Sequence, residues 1–312
     1  MTTPSLQTHP DPRTGPSQSL PAAAGSGQFT RVALRLLPYL VVAAAIVALG
    51  LPMLEFPFGS DQAIFAEIGR VISGGGWPYT DAWDQKPPAI YLIYAVAIHG
   101  PLGVMRNVRA FDLAWTVMTA LVLVDLGRRW WNLAAGAIAG LLFGGVYVTI
   151  TGYWYSAQPD SFIALPIALA LLLYEVATGE ATPAGGRARW RGRCALAGAG
   201  ILLGFAFQLR FIMVLIIPFL PWVELYAAPR GTRLRLWLAR MLWLAAGFVL
   251  VQVVLLSYLA LGGALGEFIA ATRFASGYTR LGGPYAPEGL TTSKYLETLR
   301  LSFLLWALAS CC

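Results

Sequence analysis

The chain has 312 residues, of which 57% are apolar and 12% are charged, and its mean hydropathy is +0.64. Water-soluble domains carry about 25% charged residues, so this composition excludes an ordinary soluble enzyme and indicates a membrane protein. The net charge is +7, and the Arg residues lie in short clusters between apolar runs. That placement is typical of cytoplasmic loops near anionic lipid, so the basic surplus predicts no nucleic-acid partner.

The N-terminal residues differ in composition from the rest of the chain. Residues 1–29 are rich in Thr, Pro, Ser, Gly and Ala and lack apolar periodicity, which predicts a disordered cytoplasmic tail. Residues 30–312 predict one all-α, polytopic membrane helix bundle with about seven or eight spans. Its apolar runs cover residues 33–54, 88–104, 110–127, 133–152, 161–177, 195–209, 211–227 and 241–261.

The orientation of the bundle depends on whether the run 88–104 crosses the membrane. If it does not cross, the N-terminus shares one side with three basic clusters, at residues 128–129, 187–193 and 230–240. The positive-inside rule favours that topology, with these clusters on the cytoplasmic side of a plasma (inner) membrane. We therefore predict that residues 55–108 form one long external loop, in which 88–104 lies in the interface or dips back. A crossing is the alternative, and it would move every later loop to the opposite side.

The last apolar run is short. It begins near Leu299 and reaches Cys312, whereas a membrane span needs about 17 to 25 residues. We therefore expect an incomplete last helix, as in a chain truncated at its C-terminus. A short terminal helix lying on the membrane is the alternative.

The external loop begins with a predicted amphipathic helix over residues 60–76. Its apolar residues fall on one helical face: Ile64, Phe65, Ile68, Val71 and Ile72. Ser60 or Asp61 can cap its start, and three glycines end it. Such a helix is suited to lying on the outer leaflet. Asp61 lies at the positive end of the helix dipole, which favours its ionised form, and a cap without any catalytic role is the alternative.

The next segment places a lysine beside two prolines. Residues 77–88 read Trp-Pro-Tyr-Thr-Asp-Ala-Trp-Asp-Gln-Lys-Pro-Pro. Pro87 and Pro88 keep the backbone extended and prevent a helix from including Lys86. A lysine held at a membrane surface among aromatic residues can bind a phosphate, and an interfacial lysine that only snorkels is the alternative.

The order of these motifs resembles the integral-membrane glycosyltransferases of the C-type fold (GT-C). The similar pieces are Gly-Ser-Asp-Gln-Ala, the amphipathic helix, Gly-Gly-Gly-Trp-Pro-Tyr and Gln-Lys-Pro-Pro-Ala-Ile-Tyr. They resemble the branch related to protein mannosyltransferases (family 39), which includes bacterial aminoarabinose transferases and the lipopolysaccharide-core transferases of rhizobia. The resemblance implies transfer of a sugar from a polyprenyl-phosphate donor to a hydroxyl of a glycan, lipid or protein at the outer face, with inversion.

The resemblance also implies roles for single residues. Asp61 matches the catalytic base and Asp160 a second acidic position, while Lys86 and, more loosely, Arg210 match cations that bind the donor phosphate. A helix cap for Asp160 and a loop marker for Arg210 are the alternatives. Gln62 and Gln85 stand where the family often has Glu. These two missing carboxylates disfavour a divalent metal, and Cys194, Cys311, Cys312 and two histidines form no metal motif, so we expect no cofactor.

Further polar and aromatic residues are candidates for a substrate loop. They are Asp84, Gln85, Tyr155, Arg273, Tyr278 and Arg280. The external segment 262–295 has a length and a Gly, Tyr and Arg content that suit a lid over a sugar or phosphate, with a plain surface loop as the alternative. Tyr155 can stack on a sugar or belong to an interfacial aromatic belt.

Two other classes of function fit a membrane bundle with ionisable residues. A transporter or flippase would show paired inverted repeats, and the sequence has no internal repeat. An inactive membrane remnant would fit the short last run and the missing glutamates. The candidate charges gather at one predicted surface, which favours the transferase.

Overall fold

A computed structural model of the chain describes residues 24–179, 186–215, 220 and 231–280. The predicted tail falls mostly outside these residues, and so do the run from Leu299 to Cys312 and most of the run 211–227. The described residues contain α-helices and no strand; one isolated bridge joins Pro78 and Ala82.

The helices follow one another with short connections. In chain order they are α1 (Ala24–Gly50), α2 (Ser60–Ser73), α3 (Ala89–Ala97), α4 (Val104–Trp130), α5 (Leu133–Ile150), α6 (Gly152–Tyr155), α7 (Pro159–Phe162), α8 (Ala164–Gly179), α9 (Gly186–Phe207), α10 (Arg233–Leu261) and α11 (Leu265–Arg280). Short 3₁₀ helices cover Leu51–Glu55 and Phe211–Leu215.

Five helical segments in the described part are long and apolar enough to cross a membrane. They are Leu36–Glu55, Val104–Trp130, Leu133–Ile150, Pro159–Gly179 and Arg233–Leu261. The predicted all-α, polytopic membrane bundle is thereby confirmed. The run 195–209 forms the second half of α9, whose first half carries the basic cluster 187–193.

The segment that decides the orientation does not span. Its helix α3 has 9 residues, and nine residues rise only about 14 Å, whereas the hydrocarbon core is about 30 Å thick. Tyr91 and Tyr94 of α3 are fully buried inside the protein. The helix α3 is therefore too short to cross the membrane by itself and packs inside the protein, and the orientation of the bundle stays a prediction.

The amphipathic helix α2 is present over Ser60–Ser73, as predicted, but the predicted cap is wrong. Gly59 is the N-cap, and its N–H donates to Gln62 Oε1 at 2.6 Å, so the start of α2 is held by the side chain of Gln62 and not by that of Ser60 or Asp61. Phe65 and Ile68 are buried, whereas Ile64 is exposed. The buried face packs on α3, so part of the surface assigned to the lipid is covered by protein.

Small residues let the spanning helices approach closely. On α5, Gly136, Gly140 and Gly144 recur every fourth residue and face α4 and α1. A Cβ atom on Gly136 would lie 2.2 Å from the carbonyl oxygen of Val124. Such close backbone approach is the usual basis of helix packing inside membranes, where apolar burial contributes little.

We expect Gly136→Ala to destabilise the bundle, because the added methyl group must push α5 away from α4. Overpacking of this kind costs about 1–3 kcal/mol. Gly145→Ala on the same helix is the matched control, since no atom lies within 4 Å of its Cβ position. Thermal unfolding in detergent measures both, and equal Tm values for the two variants would contradict this packing.

Candidate functional site

One cavity collects the principal charged candidates. Its volume is about 430 Å³, and Asp61, Lys86, Asp160 and Arg210 all line it. The other lining residues are aromatic, small or uncharged polar: Phe143, Tyr147, Thr151, Tyr155, Gln158, Ser161 and Ala164. The fold thus brings together residues that are up to 149 positions apart in sequence (210 − 61 = 149).

Asp61 and Lys86 form a loose pair at the cavity. Asp61 lies in the first turn of α2, and its Oδ2 is 3.7 Å from Lys86 Nζ. The Asp61 side chain is 43% exposed and that of Lys86 25%, so both can reach a ligand. A carboxylate beside a cation in an open cavity can accept a proton while the cation holds an anion.

Asp160 and Arg210 form a second, closer pair. Arg210 Nε donates to Asp160 Oδ1 at 2.8 Å, and Nη2 donates to Oδ2. Gln158, not Asp160, is the N-cap of α7, so the capping alternative for Asp160 is wrong. Arg210 lies between α9 and the following 3₁₀ helix, where the long apolar run was predicted to break.

Buried tyrosines hold the backbone of Lys86. The hydroxyl of Tyr79 donates to the Lys86 carbonyl at 2.7 Å, and the Lys86 N–H donates to the Tyr91 hydroxyl at 3.1 Å. Pro87 and Pro88 are buried beside them. The base of the Lys86 side chain is therefore held rigidly in protein, while its ammonium group reaches into the cavity.

Asp84 also helps to hold the segment that carries Lys86. Its carboxylate accepts hydrogen bonds from the Gln85 N–H at 2.7 Å and from the Tyr91 hydroxyl at 3.0 Å. Burial raises the pKa of Asp84, although these hydrogen bonds and Lys86 oppose the shift. Burial also raises the pKa of the Tyr79 and Tyr91 hydroxyls, which therefore stay protonated and able to donate.

A second cavity, of about 320 Å³, shares Lys86 and Arg210 with the first. Its remaining lining is mainly apolar: Gln85, Pro87, Phe211, Ile212 and Ala275. The Oε1 atom of Gln85 is buried and has no hydrogen-bond partner within the described part of the chain. Lys86 and Arg210 therefore border both cavities.

The predicted lid segment 262–295 is helical in its described part. After a turn at Gly262 and Gly263, it forms α11, so the loop expected there is wrong over Leu265–Arg280. Phe268 packs on Tyr79 with ring centroids 5.4 Å apart, and this apolar contact explains the helix. Arg273 lies on α11 two residues before Ala275 of the second cavity, whereas the side chains of Tyr278 and Arg280 lie outside the described part.

Two buried charges in α4 were missed by the sequence interpretation. Arg109 and Asp112 are fully buried within a spanning helix. Arg109 donates to backbone carbonyls of residues 56, 57, 153 and 156. Asp112 accepts from the hydroxyl of Tyr147 at 2.8 Å and the N–H of Ala157 at 3.0 Å. Ionisable residues inside spans are functional candidates by default, which is the signal that was overlooked.

Within the described residues, no group of three or more His, Cys, Asp or Glu side chains is arranged to hold a metal ion. Asp61 and Asp160 each have a cation as neighbour. The cavity therefore presents two carboxylate–cation pairs. Lys86 and Arg210 line both cavities. A cationic side chain can bind an anion, and a carboxylate such as that of Asp61 can accept a proton.

Comparison with known proteins finds a similarity over part of the chain. Over 111 residues the chain is 29% identical to a dolichol phosphate-mannose mannosyltransferase of Haloferax volcanii. The match covers 34% of this chain and 24% of that protein, so it spans about a quarter of the relative's length. No protein-family model matches the chain. The chain is thus a multi-pass membrane protein with a partial likeness to a mannosyltransferase.

Asp84 gives a pH-dependent prediction. Burial raises the folded-state pKa of Asp84 above the unfolded value of about 3.9. Ionisation of Asp84 therefore destabilises the folded protein, and the free energy of unfolding falls as the pH rises from the unfolded pKa through the folded pKa. Asp84→Asn does not titrate. We therefore expect the Tm of Asp84→Asn minus that of the wild type to increase from about pH 4 to about pH 7. A difference in Tm that is constant or decreases with pH would contradict the buried carboxyl.

Proposed function

We propose that this protein transfers a sugar, of the mannose class, from a polyprenyl-phosphate donor to a hydroxyl acceptor at the outer face of the membrane. The observation that carries the proposal is the single cavity lined by Asp61, Lys86, Asp160 and Arg210. The likeness to a dolichol phosphate-mannose mannosyltransferase supports the donor class. The acceptor is a hydroxyl of a glycan, lipid or protein of the cell envelope.

The two cations serve the leaving group. As the bond between the anomeric carbon and the phosphate oxygen breaks, negative charge grows on the polyprenyl phosphate, and Lys86 and Arg210 stabilise it. Both residues line the two cavities. The sugar occupies the cavity that also contains Asp61 and Asp160. The lipid extends along the second cavity, beside Phe211 and Ile212, so the phosphate lies at the two cations that the cavities share.

Asp61 serves the acceptor. Its carboxylate takes the proton of the acceptor hydroxyl as the acceptor oxygen bonds to the anomeric carbon. A single displacement of this kind inverts the anomeric configuration. Asp160 orients the acceptor and Arg210. Aromatic residues at the cavity, including Tyr155, stack on the sugar.

The outer-face assignment rests on distance along α4. Arg109 bonds the carbonyls of Tyr153 and Ser156, next to residues that line the cavity. Arg129 lies 20 residues further along the same helix, a rise of about 30 Å, which matches the hydrocarbon thickness. Arg128 and Arg129 form ion pairs with Asp125 at that distant end. The positive-inside rule places that end in the cytoplasm, and hence the cavity outside.

Asp61→Asn tests the general base. We expect the transfer rate to fall by about 10²- to 10⁴-fold, because the amide cannot accept the hydroxyl proton. The measurement is transfer of labelled mannose from polyprenyl-phosphate mannose in membranes, with expression checked by immunoblot. Glu67→Gln on the exposed side of α2 is the matched control and should keep wild-type activity. Undiminished transfer by Asp61→Asn would refute the assignment.

Lys86→Ala tests the phosphate contact. Loss of a charge-assisted hydrogen bond costs about 1.5–3 kcal/mol, so we expect donor binding to weaken by about 10- to 100-fold. Binding of polyprenyl phosphate to the purified protein measures this effect, and Lys86→Arg should retain part of the affinity. Arg70→Ala removes an exposed cation near the same loop and serves as the control. Equal affinities of Lys86→Ala and wild type would exclude the contact.

A further inference from the structure

Gln62 is a buried residue next to Asp61 that contacts the other catalytic segment. Its side chain has no solvent exposure. Its Nε2 lies 3.0 Å from the carbonyl oxygen of Tyr153, 3.1 Å from that of Trp154 and 2.9 Å from that of Ser156. The amide thus donates its two hydrogens to three carbonyl oxygens at the end of α6.

The other end of the same amide holds the entry to α2. Gln62 Oε1 accepts the N–H of Gly59 at 2.6 Å. One planar group therefore joins the segment 56–59, which leads to Asp61, to the segment 151–158, which leads to Asp160. This amide therefore couples the two segments directly.

Arg109 also connects the segments 56–59 and 151–158. It bonds the carbonyls of Tyr153 and Ser156, which Gln62 also bonds, and the carbonyls of Phe56 and Pro57. We call Gln62, Arg109 and these carbonyls the carbonyl clamp. All its donors are buried, so its hydrogen bonds are sheltered from water.

We propose that Gln62 is a positioning residue, whose side-chain amide, through the carbonyl clamp, sets the placement of the Asp61 carboxylate relative to Asp160 and its partner Arg210. This inference rests on the proposed sugar transfer. Gln62 itself does not line the cavity between these residues and need not touch the substrate. A misplacement of about 1 Å at a reacting group can cost about 10²-fold in rate, so the amide affects turnover more than donor binding.

The chemistry of the clamp requires an amide at this position. Glu often occupies the matching position in the family that the sequence resembles. An ionised carboxylate has no hydrogen to donate, and here it would face three carbonyl oxygens. A protonated carboxyl has the same shape and one hydrogen, so it restores part of the clamp. The ionisable groups around position 62 are Asp61, Arg109 and, at the amide of Ala157, Asp112.

Kinetics of Gln62→Glu and Gln62→Ala test the proposal with the full chain in membranes and polyprenyl-phosphate mannose as donor. We expect Gln62→Glu to lower kcat by about 10- to 100-fold at about pH 8, with KM for the donor within about twofold. Relative to wild type at the same pH, its kcat should recover towards about pH 5, because burial raises the pKa of a Glu at this position above the usual value of about 4.3 and the carboxyl takes up a proton as the pH falls. Gln62→Ala should be impaired equally at every pH.

Gln28→Glu is the matched control for the added charge. Gln28 lies on α1, 22 residues before Gly50, which corresponds to about 33 Å of helix. Wild-type kcat and KM are expected for this variant. A relative kcat of Gln62→Glu that shows no recovery at low pH, or a loss confined to KM, would overturn the positioning role.

Hydrogen exchange of residues 151–160 separates this inference from the proposed function. We expect their amide exchange to accelerate by about tenfold or more in Gln62→Ala, while exchange in the middle of α5 stays unchanged. If the wild type transfers no sugar, the proposed function fails, and faster exchange still supports the coupling of the two segments. Unchanged exchange overturns the coupling, and faster exchange with wild-type kcat overturns its role in catalysis.

Discussion

Backbone carbonyls that are buried need hydrogen-bond donors from within the protein, because water does not reach them. The connections 56–59 and 151–158 carry such carbonyls, and Arg109 and Gln62 provide their donors. Arg109 is a fully buried cation, so its charge is balanced by several carbonyl dipoles. The two connections that carry the candidate carboxylates depend on these hydrogen bonds.

This arrangement makes one part of the site rigid and leaves another part adjustable. The backbones of Lys86 and Asp61 are held by buried tyrosines and by Gln62, whereas the ion pair of Arg210 with Asp160 is largely exposed. Exposed ion pairs contribute only about 0–1 kcal/mol. A phosphate can therefore replace Asp160 as the partner of Arg210 at little cost, while the base stays in place. A site of this kind combines a preorganised carboxylate with a cation that can turn to the leaving group.

Several elements could be predicted because they depend on local patterns. The amphipathic period predicted α2 to within three residues at its end, and the two prolines predicted a non-helical Lys86. The N-cap could not be predicted, because it is a glycine without a capping side chain, and Gln62 instead accepts the N–H of Gly59. α11 was mistaken for a loop, since its helical form depends on apolar packing of Phe268 against the distant Tyr79.

The sequence by itself determined that the chain is an all-α membrane bundle and named the four charged residues that line the cavity. Composition and short motifs are enough for this, because apolar length and local backbone restriction act within a few residues. Only the tertiary structure decided which carboxylate meets which cation, and it revealed Arg109 and Gln62 as partners of carbonyls 44 to 94 residues away. Such contacts form only when distant segments fold together, and hydrogen bonds to backbone carbonyls leave no pattern in a single sequence.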